Sequence, residues 1–266
     1  MLTTLQSIIL GLIQGMTEFL PVSSSGHLVL TEKLMNVQTE ELFFFNIMLH
    51  VGTLVAVCAY YWRDILALLK KPFQKLTYML ILATIPAVVV AVFFGDAVEA
   101  AFGGKLLGVC FLITSIILFF SERLASNKYP RSLDKMNWLD ALFIGIAQAF
   151  AIFPGISRSG STISAAVTQG LDRKEAGKFS MLMSAIAIVG STVLEVPDVL
   201  EHGLEGVSVT GMLAGMLAAA VAGYLAIGLL NLVLKKGGLR FFSYYMLALA
   251  IFVLGNQFIW HGFLAL

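Results

Sequence analysis

Apolar residues occur in long runs along this chain, and short polar segments separate the runs. Six runs have roughly the 20 residues that a helix needs to cross a hydrocarbon layer about 30 Å thick. They cover residues 42–62, 76–95, 105–121, 178–196, 208–231 and 241–262. Two further apolar stretches, about 4–30 and 138–170, are each interrupted by a patch rich in proline, serine and glycine. The pattern predicts an all-α polytopic membrane protein with a single membrane domain over residues 1–266.

The composition favours a membrane location and argues against nucleic acid as a partner. Only 12% of the residues are charged, against about 25% in soluble domains. The 17 Lys and Arg residues almost balance 16 Asp and Glu residues, so the chain lacks the basic surface that nucleic-acid binding requires. The two cysteines, Cys58 and Cys110, lie within apolar segments, where a packing role is the simplest interpretation.

The Lys and Arg residues indicate the orientation, because short cytoplasmic loops carry an excess of them. Most of them lie in segments 63–75, 122–137, 171–178 and 235–240, whereas 31–41, 96–105 and 197–207 hold few or none. The first group is therefore predicted to lie inside. The interrupted stretch 138–170 then enters the membrane and returns to the inside. The stretch 4–30 leads to an outside loop, and its re-entry places the N-terminus outside.

The two halves of the sequence resemble each other when one is shifted by about 134 residues. The shift pairs Gly11 with Gly145, Gln14 with Gln148, Phe19 with Phe153, Ser23 with Ser157, Ser25 with Ser159 and Gly26 with Gly160, with the prolines one place out of step. Each half, approximately 1–130 and 135–266, then holds one re-entrant helical hairpin and three transmembrane helices. Because three is odd, the halves have opposite orientations. The sequence therefore predicts an inverted-topology repeat, with a site where the halves meet near the midplane.

The first interruption, "TEFLPVSSSGH" at 17–27, carries an acid and a histidine. Gln14 and Glu18 are four residues apart, so they share a face of a helix. A helix broken at Pro21 leaves the turn from Ser23 to Gly26 free to aim N–H groups and hydroxyls inward. Non-helical backbone survives at membrane depth only where it is buried in protein or lines a wet cavity. This patch is therefore predicted to face the protein interior.

The second interruption, "FPGISRSGST" at 153–162, carries an arginine instead. An arginine at the bilayer centre costs about 2.5–3.5 kcal/mol on insertion scales, so Arg158 needs a partner there. Its planar fork suits phosphate oxygens, and the N–H groups of the turn at 155–160 can form an anion-binding nest. A helix starting near Ser161 would add its dipole. The first interruption adds an acid and a histidine that bind a cation or transfer protons. Together these groups predict a phosphate-binding site that can catalyse hydrolysis.

Each of these residues also has a purely structural interpretation. Arg158 and Glu18 form a salt bridge that locks the hairpins together, whether or not they also bind phosphate. His27 is hydrogen-bonded at a helix start, or it transfers protons. Ser24 is a cap or a nucleophile, and serines in such turns are more often caps.

Three polar residues farther from the turns leave similar alternatives. Thr162 caps or orients the second hairpin, or it contacts phosphate directly. His50 and Asn46 lie on the outer half of the first crossing and either line the cavity or pack between helices, and packing is favoured.

The motifs "QGMTEFLPVSSSGH" (14–27) and "PGISRSGST" (154–162) resemble those of the bacterial undecaprenyl-pyrophosphate phosphatases, the bacitracin-resistance family. The similarity covers essentially the whole chain. It implies a plasma-membrane hydrolase that converts undecaprenyl diphosphate to undecaprenyl phosphate and inorganic phosphate, which recycles the lipid carrier for peptidoglycan synthesis and confers bacitracin resistance. It also implies a divalent cation, Mg²⁺ or Ca²⁺, an active site open to the outer face of the membrane, and a possible homodimer.

Roles follow from the resemblance by position. It implies that Glu18, Ser24, His27 and Arg158 are catalytic, and that Glu18 holds the metal. It implies phosphate binding or support of the site for Gln14, Ser23, Ser25, Gly26, Ser157, Ser159, Gly160 and Thr162. Many relatives have a glutamate at the position of Gln14, so a metal site made of two carboxylates is not expected here. Magnesium bound through Glu18, water and the substrate's phosphates fits its usual coordination.

Two alternative functions remain to be compared. The acid-phosphatase-like lipid phosphatases also have an SGH motif, but they need a histidine and an aspartate downstream of a Ser-Arg pair, and "SRSGSTISAAVTQG" has neither. A transporter or flippase for lipid-linked or small phosphates suits the inverted repeat. A carrier, however, has no need of a His/Glu pair beside its anion clamp. Whether Ser24 or water attacks the phosphate is open at this point.

Overall fold

The protein is almost entirely helical in the computed structural model, which describes residues 2–37, 42–95, 104–125, 130–202 and 207–260. No β-strand forms within these ranges. The helices are α1 (Thr4–Phe19), α2 (Ser24–Leu34), α3 (Phe43–Tyr60), α4 (Trp62–Lys70), α5 (Lys75–Phe93), α6 (Leu107–Leu124), α7 (Trp138–Phe150), α8 (Arg158–Thr168), α9 (Arg173–His202), α10 (Val209–Lys235) and α11 (Leu239–Gly255).

Five helical segments of the described chain are long and apolar enough to cross a membrane, and a sixth is counted if a bent pair forms one span. The five are Lys75–Phe93, Leu107–Leu124, Arg173–Leu194, Val209–Lys235 and Leu239–Ile259, and the bent pair is Phe44–Tyr60 with Trp62–Lys70. The prediction of a multi-pass, all-α membrane protein is confirmed. Parts of the predicted loops 31–41, 96–105, 122–137 and 197–207, and the end of the predicted crossing 241–262, lie outside the described residues.

The predicted inner loop 63–75 differs from expectation, because its first part is helical. Helix α4 turns 82° away from α3. Ile65 and Leu68 pack against the hydrophobic core, whereas Trp62, Leu66 and Leu69 stay exposed. The packing of an amphipathic segment against the bundle explains why a helix forms in this basic loop.

The first interruption forms a helical hairpin from α1 and α2. A capping box between Thr3 and Gln6 starts α1, and Pro21 follows its end because proline cannot continue a helix. The chain reverses over a few residues, and Ser23 caps α2 through the Gly26 N–H. Leu2, before the hairpin, and Met35, after it, belong to one hydrophobic cluster. Both ends of the hairpin therefore lie on the same side of the molecule.

The second interruption forms a similar hairpin from α7 and α8. A capping box between Asn137 and Asp140 starts α7, and Ser157 caps α8. The helix starts at Arg158 rather than near Ser161 as the sequence suggested, because the cap lies earlier. Arg131 exchanges two backbone hydrogen bonds of 2.8 Å with Gly170 and Asp172, so the ends of this hairpin also lie together.

The two hairpin tips meet inside the bundle. The Ser23 hydroxyl accepts a hydrogen bond from the Gly155 N–H at 3.1 Å, and the Ser159 hydroxyl donates to the Leu20 carbonyl at 2.9 Å. Thr114 of α6 supports the second tip, since its hydroxyl donates to the Gly155 carbonyl at 2.9 Å and accepts from the Ser157 N–H. The tips are therefore buried in protein, as backbone without helical hydrogen bonds must be at membrane depth.

Each hairpin packs against a helix from the other half of the chain. Helix α1 packs on α10 and α7 packs on α5. The contacts are close enough to need glycine: a Cβ at Gly11 would overlap the backbone of Gly215, and one at Gly145 would lie 2.5 Å from the Ala83 carbonyl oxygen. Helices α6 and α11 also pack together. These contacts fix the tips relative to one another.

Candidate functional site

A buried carboxylate lies where the two tips meet. Glu18, which is 7% exposed, accepts a hydrogen bond from Gln14 Nε2 at 3.1 Å and one from the Ser24 hydroxyl at 2.5 Å, both at Oε2. Its Oε1 accepts from Arg158 Nη2 at 2.5 Å. The first hairpin thus contributes an amide, an acid and a hydroxyl, and the second contributes the guanidinium.

Arg158 is paired with Glu18 through one of its two terminal nitrogens. The other, Nη1, is shielded from solvent and has no hydrogen-bond partner among the described residues. A buried donor without a partner is costly, and a guanidinium fork matches the oxygens of a phosphate group. The salt bridge considered from the sequence is present, and it leaves one donor of the fork available for an anion.

The other polar residues of the first tip bond mainly to the hairpins themselves. Ser23 has a φ of +65°, which is unusual for a residue with a side chain, and its hydroxyl accepts from the N–H groups of Gly155 and Gly26. The Ser25 hydroxyl lies 3.4 Å from that of Ser23. Of the three serines, Ser24 is the one whose hydroxyl bonds to Glu18.

The second tip follows the same plan. The Ser157 hydroxyl accepts from the Gly160 N–H at 3.0 Å, and Ser159 donates to the first tip. Thr162 is fully buried, donates to the Arg158 carbonyl and lies 2.7 Å from the Ser180 hydroxyl. These side chains orient the start of α8, whose first N–H groups are a general binding site for anions.

His27 has both ring nitrogens hydrogen-bonded. Nδ1 lies 2.7 Å from the Ser23 carbonyl oxygen, and Nε2 lies 2.7 Å from the Tyr245 hydroxyl. A carbonyl only accepts, so Nδ1 carries a hydrogen. The rings of His27 and Tyr245 are stacked, with centroids 5.8 Å apart. Tyr245 was not predicted from the sequence, because a tyrosine inside a long apolar crossing gives no signal of its partner.

His50 lies beside the carboxylate, although the sequence favoured a packing role. Its Nε2 is 3.9 Å from Glu18 Oε2, and its side chain is 31% exposed. Nδ1 lies 2.8 Å from the Asn46 carbonyl oxygen. The Asn46 amide in turn donates to Glu32 Oε1 at 3.0 Å. In the sequence, the sign that His50 could lie at the site was its position four residues after Asn46, on the outer half of a crossing.

The oxygen atoms around Glu18 suit a hard divalent cation bound mainly by substrate. No group of three His, Cys, Asp or Glu side chains converges in the part of the chain that the structure describes. The Gln14 Oε1 atom is buried without a hydrogen-bond partner there, and its side chain contacts Glu18. One carboxylate and one amide oxygen fit Mg²⁺, which commonly uses one or two protein ligands, water and phosphate oxygens.

The sequence is similar to those of known proteins along most of its length. The sequence model of a family described as "Bacitracin resistance protein BacA" matches residues 7–252. An undecaprenyl-diphosphatase from Carboxydothermus hydrogenoformans is 42% identical over 259 residues, covering 96% of this chain and 98% of the relative. Undecaprenyl-diphosphatase 4 from Bacillus cereus is 43% identical, with 96% and 97% covered. An undecaprenyl-diphosphatase from Alkaliphilus metalliredigens is 41% identical, with 92% and 95% covered.

Proposed function

Because the chain belongs to the family of the bacitracin resistance protein BacA, we propose that it hydrolyses undecaprenyl diphosphate to undecaprenyl phosphate and inorganic phosphate. This activity recycles the lipid carrier for peptidoglycan synthesis and confers bacitracin resistance. The relatives named undecaprenyl-diphosphatase support the substrate. One structural observation supports placing this activity at the hairpin tips. The buried Glu18–Arg158 ion pair joins the two tips, and the Ser24 hydroxyl donates a hydrogen bond to Glu18.

The substrate's isoprenoid tail lies in the hydrocarbon, and its diphosphate enters between the tips. Arg158 Nη1, which has no hydrogen-bond partner in the part of the chain that the structure describes, and the first N–H groups of α8 bind the terminal phosphate. Charge-assisted bonds from a guanidinium are stronger than neutral ones, and stabilising charge on the transferred phosphoryl group is the main demand of this chemistry. Serines 23, 25, 157 and 159, with Gly26, Gly160 and Thr162, keep the backbone of the tips in place for this contact.

The nucleophile is Ser24 or a water molecule beside it. Glu18 holds the Ser24 hydroxyl by a short hydrogen bond, so Oε2 orients that hydroxyl for attack on the phosphate. The resemblance assigns proton transfer to His27 as well, and the Tyr245 hydroxyl at Nε2 is the group with which it would exchange a proton.

A divalent cation, Mg²⁺ or Ca²⁺, belongs to this proposal. Glu18 and the carbonyl oxygen of Gln14 would hold it together with phosphate oxygens. When bound, the cation neutralises negative charge on the diphosphate. The neutral amide at position 14 makes the protein's share of the ligands small, so we expect weak cation binding without substrate.

We also propose that the two halves are an inverted repeat and that the site opens to the outer face of the plasma membrane. The packing supports the repeat, since α1 lies on α10 just as α7 lies on α5. Ser115 of α6 and Ser243 of α11, the third crossing of each half, donate to each other's carbonyl oxygens at 2.8 and 3.0 Å. The distribution of Lys and Arg residues supports the orientation.

Phosphate release from an isoprenyl diphosphate by purified protein in detergent tests the proposal. We expect release that depends on Mg²⁺ or Ca²⁺ and is abolished by EDTA. Glu18→Gln and Arg158→Ala should each lower kcat by at least about 100-fold, the usual effect of removing one group that stabilises transition-state charge.

A second ion pair provides a matched control. Arg173 and Glu122 are joined by two hydrogen bonds of 2.9 Å away from the tips, so Glu122→Gln should keep its activity. If the folded wild-type protein releases no phosphate, the hydrolase proposal fails. A transporter or flippase is then the remaining candidate, because two halves that pack against each other's helices suit alternating access. A liposome transport assay would follow.

A further inference from the structure

The site contains a second imidazole in addition to the one in the sequence motif. His27 uses both ring nitrogens in hydrogen bonds to Ser23 and Tyr245. No hydrogen bond or ion pair joins it to Glu18 within the described residues. His50 comes from α3, outside both motifs, and its Nε2 lies 3.9 Å from Glu18 Oε2. Among the described residues, the histidine within 4 Å of the Glu18 carboxylate is thus one that the motif does not include.

The hydrogen bonds of His50 determine what its Nε2 can do. Nδ1 faces the carbonyl oxygen of Asn46 at 2.8 Å. Since a carbonyl only accepts, Nδ1 is the protonated nitrogen, and Nε2 of the neutral ring carries a lone pair. Nε2 makes no hydrogen bond within the described part of the chain, and the side chain is partly exposed. This arrangement is typical of a general base whose second ring nitrogen is held by a hydrogen bond.

The neighbours of His50 fix the helix that carries it. The Asn46 side-chain amide donates to Glu32 on α2, and the Thr53 hydroxyl donates to the backbone carbonyl of His50 at 2.8 Å. Helix α3 therefore joins the first hairpin through Glu32 while it presents His50 to Glu18. With Nδ1 held by the backbone carbonyl of Asn46, the ring keeps its Nε2 toward Glu18.

We propose that His50 is a further catalytic residue, the base that receives the proton of the nucleophile during diphosphate hydrolysis. As the nucleophile's oxygen bonds to the terminal phosphorus, its O–H bond breaks and the proton passes to Nε2. The bond from that phosphorus to the bridging oxygen breaks, and the electron pair leaves with undecaprenyl phosphate. The proton then passes from Nε2 to water. When the nucleophile is water, inorganic phosphate is released directly. When it is Ser24, a water molecule then attacks the phosphorus of the phosphoserine and gives a proton to Nε2, and the Ser24 oxygen leaves and is reprotonated as inorganic phosphate is released. This inference rests on the proposed function.

Kinetics of His50→Ala and His50→Gln in the phosphate-release assay test the role. We expect kcat to fall by about 100-fold in both, within the usual range for loss of a general base, while KM stays within about threefold because substrate binding is retained. Added imidazole should restore part of kcat in His50→Ala, where it has room to bind, and not in His50→Gln. Rescue by imidazole distinguishes a lost base from a damaged structure.

Tyr60→Phe is the matched control, since Tyr60 lies at the far end of the same helix and contacts Asn231 instead. It should keep wild-type kcat. If His50→Gln keeps at least a third of wild-type kcat, or if His50→Ala loses activity without any rescue by imidazole, the base role is wrong. In either case the wild-type protein still releases phosphate, so the result is distinct from failure of the proposed function.

Discussion

The Glu18–Arg158 pair places two charges where water cannot solvate them well. A buried ion pair adds little net stability, because desolvation offsets the attraction between the charges. Loss of one partner is different, since it leaves the other charge buried and unpaired. The pair is therefore maintained by what it does at the tips: it fixes Glu18 against Ser24 and keeps one nitrogen of the guanidinium available.

This asymmetry gives a prediction for stability. Arg158→Met alone should lower the free energy of unfolding by about 3–5 kcal/mol, the typical cost of breaking a buried pair. The double variant Glu18→Gln/Arg158→Met should recover most of that loss, although it is inactive. Thermal unfolding in detergent checks both values. A double variant less stable than the single one would contradict a simple unpaired-charge effect.

Much of the site could be predicted from residue identity and spacing. Gln14 and Glu18 are four residues apart on one helix, and the structure joins them by a hydrogen bond. The Arg158–Glu18 contact followed from the cost of an unpaired arginine in the membrane. His50 and Tyr245 could not be placed this way. Tyr245 lies 218 residues from His27, and one sequence contains no information about which helices pack side by side.

The packing of the hairpin helices depends on glycine at a few positions. A side chain at Gly11 would overlap backbone atoms of Gly215, which are not free to move aside as a flexible side chain would be. Close approach of this kind between membrane helices stabilises them through van der Waals contact. The hairpin helices α1 and α7 are thus held by backbone contact as well as by the hydrogen bonds at their tips.

Gly11→Ala should separate α1 from α10 and destabilise the protein. We expect a lower midpoint of thermal unfolding and reduced phosphate release, because the shift displaces Glu18 at the end of the same helix. Gly190→Ala is the matched control, since a Cβ there meets nothing within 4 Å. That change should be neutral or stabilising by up to about 1 kcal/mol, as alanine is the better helix former. Equal loss in both variants would show that packing is not the cause.

Helix boundaries show what the sequence specifies at the level of elements. Pro21 predicted where α1 ends, and the structure agrees. The turn predicted over Ser23 to Gly26 is shorter, because Ser23 caps α2 and the helix already starts at Ser24. The start of α8 was predicted three residues late, because the capping hydroxyl of Ser157 precedes the residue taken as the first. Helix α4 was missed because its basic residues resembled a loop, while its packing against the bundle stabilises it.

The orientation of the whole molecule gives a prediction that is independent of the chemistry. Thr4 begins the first hairpin, which is proposed to enter from outside, and Phe73, which is 86% exposed, follows α4 in a predicted inner loop. In a background with Cys58 and Cys110 replaced by alanine, Thr4→Cys should react with an impermeant maleimide on intact cells. Phe73→Cys should react only after the membrane is permeabilised. The reverse pattern would overturn the proposed orientation and place the site on the other face.

Each hairpin packs against a helix of the other half, and this affects how the protein assembles during its synthesis. Helix α1 emerges from the ribosome early, whereas its partner α10 starts about 200 residues later, which takes roughly 10–40 s at common rates of translation. Arg158 follows Glu18 by 140 residues, so for most of that interval the first tip holds Glu18 without Arg158. The newly made amino-terminal half therefore carries an acid without its ionic partner and a glycine face on α1 without the helix that packs against it. Stable packing of the first hairpin therefore requires that the second half has been synthesised.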